Sequence, residues 1–182
     1  MNVLAIWIIV ALILIYIVAI YNRLIVLKTR INNAWSQIDV QLKRRADLIP
    51  NLVSTVKGYT KHERTVLQNV TKARASLQKA ETLNAKAKAS DAITTALKSL
   101  FAVAENYPDL KANKNFLLLQ EELAGTESKI AYSRQFYNDN VMGLNASIQR
   151  FPTNVIANIF NFKKRDYFRT EGKAREAVKV EF

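Results

Sequence analysis

The residues that could do chemistry are few and far apart. The chain has one histidine, His62, and no cysteine, which removes thiolate nucleophiles, disulfides and cysteine-based zinc sites together. His62 lies inside Thr60-Lys61-His62-Glu63, a capping-box pattern in which it becomes an exposed first-turn residue of a helix. Without a second histidine it cannot help build a zinc site. Glu121 and Glu122 are adjacent and leave a helix in different directions, so they are not a paired acid-base site. Asp47 precedes Pro50 by one turn, where local helix and kink hydrogen bonding accounts for it. No glycine-rich phosphate loop, Gly-x-Ser-x-Gly or His-Glu-x-x-His occurs. An enzyme is therefore not expected, and neither are catalytic residues, a metal or a cofactor.

What remains is charge, and it is unevenly placed. The formal net charge is +12. Residues 22–90 carry 14 Lys and Arg against 4 Asp and Glu, residues 91–162 carry 6 against 7, and residues 163–182 carry 7 against 4. Lys43, Arg44 and Arg45 span nearly a helical turn, so at least one must face the helices' interior, with solvation and pairing to Glu122 or Glu127 as the plain account. A nucleic-acid partner would want a basic stripe interleaved with aromatics. Trp35 and the tyrosines fall on or beside the apolar seams instead, so nucleic acid is not expected.

The elements that position these residues are helices. Four glycines and three prolines in 182 residues are too few for the turns of a multi-stranded sheet, so the chain reads as all-α. Residues 3–20 hold no charge and are long enough to cross a hydrocarbon core of about 30 Å. A cleaved signal peptide would place Lys or Arg before the apolar run and a small-x-small site after it, and neither stands there. A buried core helix is the other alternative. An uncleaved anchor over 1–22 is expected, then a helical bundle over 23–168 and a basic tail over 169–182, loose from Thr170. The cations that follow the anchor, Arg23, Lys28, Arg30 and Lys43 to Arg45, put the N-terminus outside and the body in the cytoplasm.

Between residues 30 and 60, Ile31, Trp35, Ile38, Leu42, Ile49, Leu52 and Val56 recur at steps of four and three, broken once by Arg45. This is the seam of a long coiled-coil-like helix, the transmembrane helix continued. Pro50 predicts a kink near residues 46–50, and Gly58 a C-terminal cap. A second helix over 61–82 has its seam at Val66, Val70, Ala73, Leu77 and Ala80. Residues 83–90 lack a bulky apolar residue after Leu83 and read as a polar connection to a third helix over 91–106. A fourth begins near Asn113 and carries Phe116, Leu119, Leu123, Ile130, Tyr137 and Leu144 to a stop at Phe151-Pro152. A short apolar helix follows, ending in Lys163, Lys164 and Arg165. The fold expected is an antiparallel bundle of two long helices plus a shorter helical hairpin. Its register sets Trp35 against Phe136, Ile38 against Ser133 and Ile49 against Glu122, with Tyr132 and Tyr137 beside the indole.

The blocks NAWSQIDVQLKRR, DLIPNLV, KGYTKHE, AENYPDLKANKNF, TESKIAYSRQFYND and IQRFP stand in unbroken order over about residues 20–168, and in them the chain resembles the LemA family. The resemblance implies a bacterial inner-membrane protein with one N-terminal span, a small extracytoplasmic N-terminus and a helical-bundle body. It also implies a magnetosome-membrane relative, genes that often neighbour a membrane zinc metalloprotease, and no established catalytic activity.

Helix lengths shape the functional expectation. At 1.5 Å per residue the long helices reach about 55 Å and the short ones about 33 and 24 Å, which leaves a membrane-proximal two-helix stalk uncovered. Its apolar residues Leu24, Ile25, Ile31, Val141, Met142, Leu144 and Ile148 then form a self-association face for a homo-oligomer. The alternative is that the segment after Pro152 folds back over the stalk, where a helix would cover only part of it. Arg23, Lys28, Arg30, Lys163, Lys164 and Arg165 are expected at anionic lipid headgroups, at about 1 kcal/mol each. Two functions follow: a non-enzymatic membrane-anchored scaffold that assembles with itself and organises or shapes the membrane, or an adaptor that regulates a membrane metalloprotease or other client.

Overall fold

The computed structural model describes residues 3–60 and 62–169. Among them are six helices and no strand: α1 (Val3–Lys57), α2 (Arg64–Lys79), α3 (Leu83–Ala104), α4 (Pro108–Lys111), α5 (Lys114–Ser147) and α6 (Thr153–Ile159). The apolar run and the spine are one uninterrupted helix, with Pro50 inside it. The tail from residue 170 lies outside the described residues, as does Lys61. The described residues divide into two compact units, one formed by those up to Gln37 with Tyr132–Tyr167, the other by those of Ile38–Ala131 with Phe168 and Arg169.

The second unit is a bundle built on the last turns of α1. Ile38, Leu42, Ala46, Ile49, Leu52, Val53 and Val56 are buried at helical spacing, as the periodicity demands. Buried with them in this unit are Leu67, Val70, Ala73 and Leu77 of α2, Ile93, Leu97 and Leu100 of α3, and Phe116, Leu123 and Ile130 of α5. Phe101 and Phe116 join α3 to α5 edge-on, with centroids 6.0 Å apart.

Residues 83–90 are a correction to the expected connection. They are the first two turns of α3, capped by Thr82, whose hydroxyl accepts from the Ala85 N–H at 3.2 Å. Alanine has the highest helix propensity, and its small side chain lets helices approach closely, so no bulky residue is needed. Ala87, Ala89 and Ser90 are buried there. The capping box at Thr60 is a second correction. Thr60 Oγ1 donates back to Val56 O at 3.1 Å, finishing α1 instead of starting α2. Glu63 occupies the α2 N-cap without a side-chain cap bond and accepts from the Tyr107 hydroxyl at 3.3 Å. His62 is exposed.

Polar groups on the α1 seam find partners on neighbouring helices, although the buried Arg45 Nε has none among the described residues. Pro50 has no N–H to offer the carbonyl of Ala46, four residues back. Arg74 Nε of α2 donates to that carbonyl at 2.8 Å, so a donor from the neighbouring helix replaces the missing one. Arg45 is 3% exposed; it pairs with Glu127 and donates to Thr94 Oγ1 at 3.1 Å. Burial pushes its guanidinium below the usual arginine range, opposed by Glu127 and Asp91. Arg44 pairs with Glu122, and Lys86 with Asp39.

In the first unit α1 and α5 are antiparallel close to the expected register: a Cβ at Gly143 would stand 3.6 Å from Leu27, Leu24 shares a cavity with Ser147, and Tyr137 lies beside the indole as expected. Trp35 stacks at a tilt on Tyr137, centroids 6.2 Å apart. Phe136 and Tyr132, expected at the indole, are 44% and 73% exposed. Buried side chains follow on both helices, Ile20, Leu24, Ile31 and Ala34 on α1 and Tyr137, Val141 and Leu144 on α5. Ala34 takes the inward position and Trp35 is half-buried beside it.

Candidate membrane-boundary site

The first unit brings the end of the apolar run together with the segment that follows α5. Of the most apolar stretch of α1, only 6% is buried. Exposed Trp7, Leu12, Ile15 and Val18 lie along it, and in water so much bare apolar surface would be untenable. Buried positions begin at Ile20, and from there α5, α6 and the chain beyond α6 cover the helix.

That chain is turned by a specific cap. Asn161 takes φ 56°, the left-handed region, directly after α6. The N–H of Phe162 bonds the Ala157 carbonyl at 2.8 Å and that of Asn161 the Asn158 carbonyl at 3.2 Å. This is the Schellman pattern, and asparagine is the residue besides glycine that enters this conformation cheaply. The reversal lays Phe160 on Tyr21 with centroids 4.7 Å apart, and Phe162 edge-on to the same ring at 6.0 Å.

From Phe162 to Arg169 the chain has no regular secondary structure, and α5 holds it as a strap. Asn145 grips one residue twice: its Nδ2 donates to the Arg165 carbonyl and its Oδ1 accepts from the Arg165 N–H, both at 2.9 Å. The Tyr137 hydroxyl donates to the Asp166 carbonyl at 3.1 Å. Burial raises the Tyr137 phenol above the usual tyrosine range; Arg165 lowers it and Asp166 raises it. The strap overturns the expected bare stalk. A helix covers about 1.5 Å per residue, and a non-helical chain can cover more, up to about 3.3 Å. Phe160 packs on Tyr21 near one end of the stalk, and near the other Asp166 receives the hydroxyl of Tyr137, the ring on which Trp35 stacks.

The expected self-association residues must be corrected accordingly. Leu24, Ile31, Val141 and Leu144 are at most 2% exposed within the chain itself and offer nothing to a second copy. Ile25 and Ile148 are half-buried, while Met142 is 58% exposed.

The lipid-surface cations are all exposed but not all together. Lys28 joins Lys163, Lys164 and Arg165 around a cavity of about 520 Å³, whose other walls include Tyr21, Ile25, Leu144 and Phe162. Arg23 lies in a separate cavity of about 240 Å³ with Tyr16, Ile20, Arg150 and Thr153. Arg30 lines neither of these two. Asn145 and Arg150 were not anticipated. An amide beside the seam residue Leu144, on a face otherwise apolar, was the available signal that another segment must satisfy it. Among the described residues, no three of His, Cys, Asp and Glu come together where a metal could sit.

The LemA family profile matches residues 34–182. The chain belongs to the LemA family. Protein LemA of Metamycoplasma hominis is 31% identical over 141 residues, 75% of this chain and 63% of that protein. Magnetosome protein MamQ 2 of Paramagnetospirillum magneticum is 34% identical over 74 residues, 41% of this chain and 27% of its own length. Magnetosome protein MamQ of Magnetospirillum gryphiswaldense is 30% identical over 73 residues, 40% and 27% of the two lengths. The chain therefore spans less than two thirds of each of these relatives. The LemA match includes the strap with Asn145, Lys163, Lys164 and Arg165, whereas Lys28 and the apolar run precede it. With that exposed apolar run on α1, this LemA family chain is a membrane protein.

Proposed function

We propose that this chain is a non-enzymatic, membrane-anchored helical scaffold that crosses the bilayer once, with its N-terminus outside and its helical body on the cytoplasmic face. One observation carries the reading: the exposed apolar run continues without a break into the packed part of α1. The same helix thus joins the bilayer segment to packed residues of the body. Arg23, Lys28 and Arg30 sit at the exit from the apolar run, where they favour the cytoplasmic side and anionic headgroups. Phe151, Val155 and Ile159 are 77%, 49% and 72% exposed on the segment beside the Tyr16 to Leu24 turns. That is the height at which apolar side chains enter the headgroup boundary.

Self-assembly is the second part of this reading. Outside the strap, Val26, Tyr132, Phe136 and Met142 expose apolar surface in the first unit, and confinement to one plane raises the effective concentration of copies. The natural chain has no cysteine, so Met142→Cys gives a single reactive site. Disulfide cross-linking in native membranes is expected to yield a dimer through Met142→Cys and none through a cysteine at buried Leu144. Monomer alone from both would refute the self-assembly. Accessibility labelling of cysteines at Asn2 and Lys43 from either side tests the orientation.

The alternative is an adaptor for a membrane protease or other membrane client. It is favoured by Leu117 and Leu118, consecutive and 47% and 58% exposed in the second unit. Replacing both with Asp is then expected to abolish co-purification of a client while leaving the Met142→Cys cross-link intact.

A further inference from the structure

We propose that the cleft between α1 and the strap seats the phosphate group of one anionic phospholipid. Its floor on the Tyr21 side is aromatic, from Tyr21, Phe160 and Phe162, and its cations are Lys28, Lys163, Lys164 and Arg165. Among the described residues no Asp or Glu lines the cavity. The polarity is graded in the direction a lipid requires, apolar toward the membrane-spanning run and cationic away from it.

Height agrees with this assignment, which rests on the reading that the apolar run of α1 lies in a bilayer. Lys28 is eight residues beyond Ile20, about 12 Å along the helix. Helical side chains lean toward the N-terminus, so its ammonium group is carried back toward the membrane. The headgroup layer occupies roughly the 5–8 Å outside each face of the hydrocarbon core. A lysine stem covers the remaining distance by snorkelling.

The cleft is also organised before any ligand arrives. Asn145 holds Arg165 through both backbone groups, and the left-handed Asn161 sets the direction in which Lys163 and Lys164 leave α6. Diffuse attraction would need none of this, since mobile lysines near a charged surface serve equally well. A pinned strap reduces the ordering cost of binding and makes the site selective for a group that several cations can reach at once.

The test uses the full chain in mild detergent, titrated with dioleoyl phosphatidylglycerol or dioleoyl phosphatidylcholine and read by native mass spectrometry. Wild type is expected to retain one phosphatidylglycerol at concentrations where phosphatidylcholine does not bind. Lys28→Gln with Lys163→Gln and Lys164→Gln should weaken retention by about a hundredfold, at about fivefold per cation. A control that removes the same charge outside the cleft, in the second unit, Lys72→Gln with Lys79→Gln and Lys98→Gln, all exposed, should weaken it by less than about fivefold. Asn145→Ala keeps every charge and frees the strap; it should also lose affinity, by about tenfold for the lost pair of hydrogen bonds. Equal losses in the cleft and control triples, or full retention by Asn145→Ala, would overturn the proposal. So would displacement of the lipid by 10 mM inorganic phosphate, which would make soluble phosphate the ligand. Carbonate extraction of the same proteins from membranes separates the two levels: release of wild type would refute the anchor, whereas retained protein without lipid selectivity refutes the cleft alone.

Discussion

Pro50 and Arg74 permit a test of the structure at a single carbonyl. Ala46 is 4% exposed, so its carbonyl cannot rely on solvent when Pro50 fails to donate to it. Arg74 Nε supplies that bond at 2.8 Å, a charge-assisted hydrogen bond of about 1.5–3 kcal/mol. Arg74→Met keeps the aliphatic stem and removes the donor, so it is expected to cost about that amount. Pro50→Ala restores the backbone N–H to the same carbonyl and removes a proline from a helix interior, so it should stabilise, by at most about 3 kcal/mol. In the Pro50→Ala background, Arg74→Met should cost less than about 0.5 kcal/mol, because the carbonyl then has its own helical donor. The coupling from the full cycle should therefore lie at about 1–2.5 kcal/mol. Chemical denaturation of the four proteins in detergent, followed by far-ultraviolet circular dichroism, gives each term. Additivity within about 0.5 kcal/mol would refute the argument, since it would mean that Arg74 stabilises the bundle by some route other than the carbonyl freed by Pro50.

Other substitutions probe the remaining polar devices. Arg45→Met should be neutral or stabilising by about 1–2 kcal/mol, whereas Glu127→Ala should cost about 2 kcal/mol, discounted from the usual buried-pair loss because Glu127 is 44% exposed; the reverse order in denaturation midpoints would contradict the burial-cost argument. The Tyr137 phenol is raised in the folded state from 10.0, so its contribution is complete below about pH 10 and is lost as pH rises through the higher folded value. Tyr137→Phe should flatten that alkaline decline and cost about 1 kcal/mol at neutral pH through the lost bond to Asp166; an unchanged alkaline slope in thermal scans would argue against it. Asn161→Gly should leave stability nearly unchanged, while Asn161→Val should cost about 1–2 kcal/mol in the left-handed position and increase proteolysis after Lys163 or Lys164. Gly125→Ala, where an added Cβ would meet nothing within 4 Å, should raise stability by about 0.8–1 kcal/mol, read from the same denaturation curves.

Much of the architecture was legible without coordinates because it depends on local rules. A residue's place on a helix face follows from spacing alone, and Ile38, Leu42, Ile49, Leu52 and Val56 are buried as their four-three rhythm required. The unbroken passage from apolar run to spine, the inward turn of one cation from Lys43 to Arg45, and the pairing with Glu122 and Glu127 followed in the same way. The start of α3 carries no bulky apolar period that would mark it as a packed helix, and Ala87 and Ala89 are buried there without one.

What tertiary structure alone decided is which surfaces stay bare. The strap has no helical period to detect, and a non-helical chain can cover more length per residue than a helix. It lies against Leu144, a residue whose apolar character suggested an intermolecular face, and it brings Lys163, Lys164 and Arg165 to Lys28. The bond that holds it, from Asn145 to Arg165, spans 20 residues. Periodicity reports how a residue is placed on its own element, but such a bond requires two elements to be already in position, and only the folded chain supplies that.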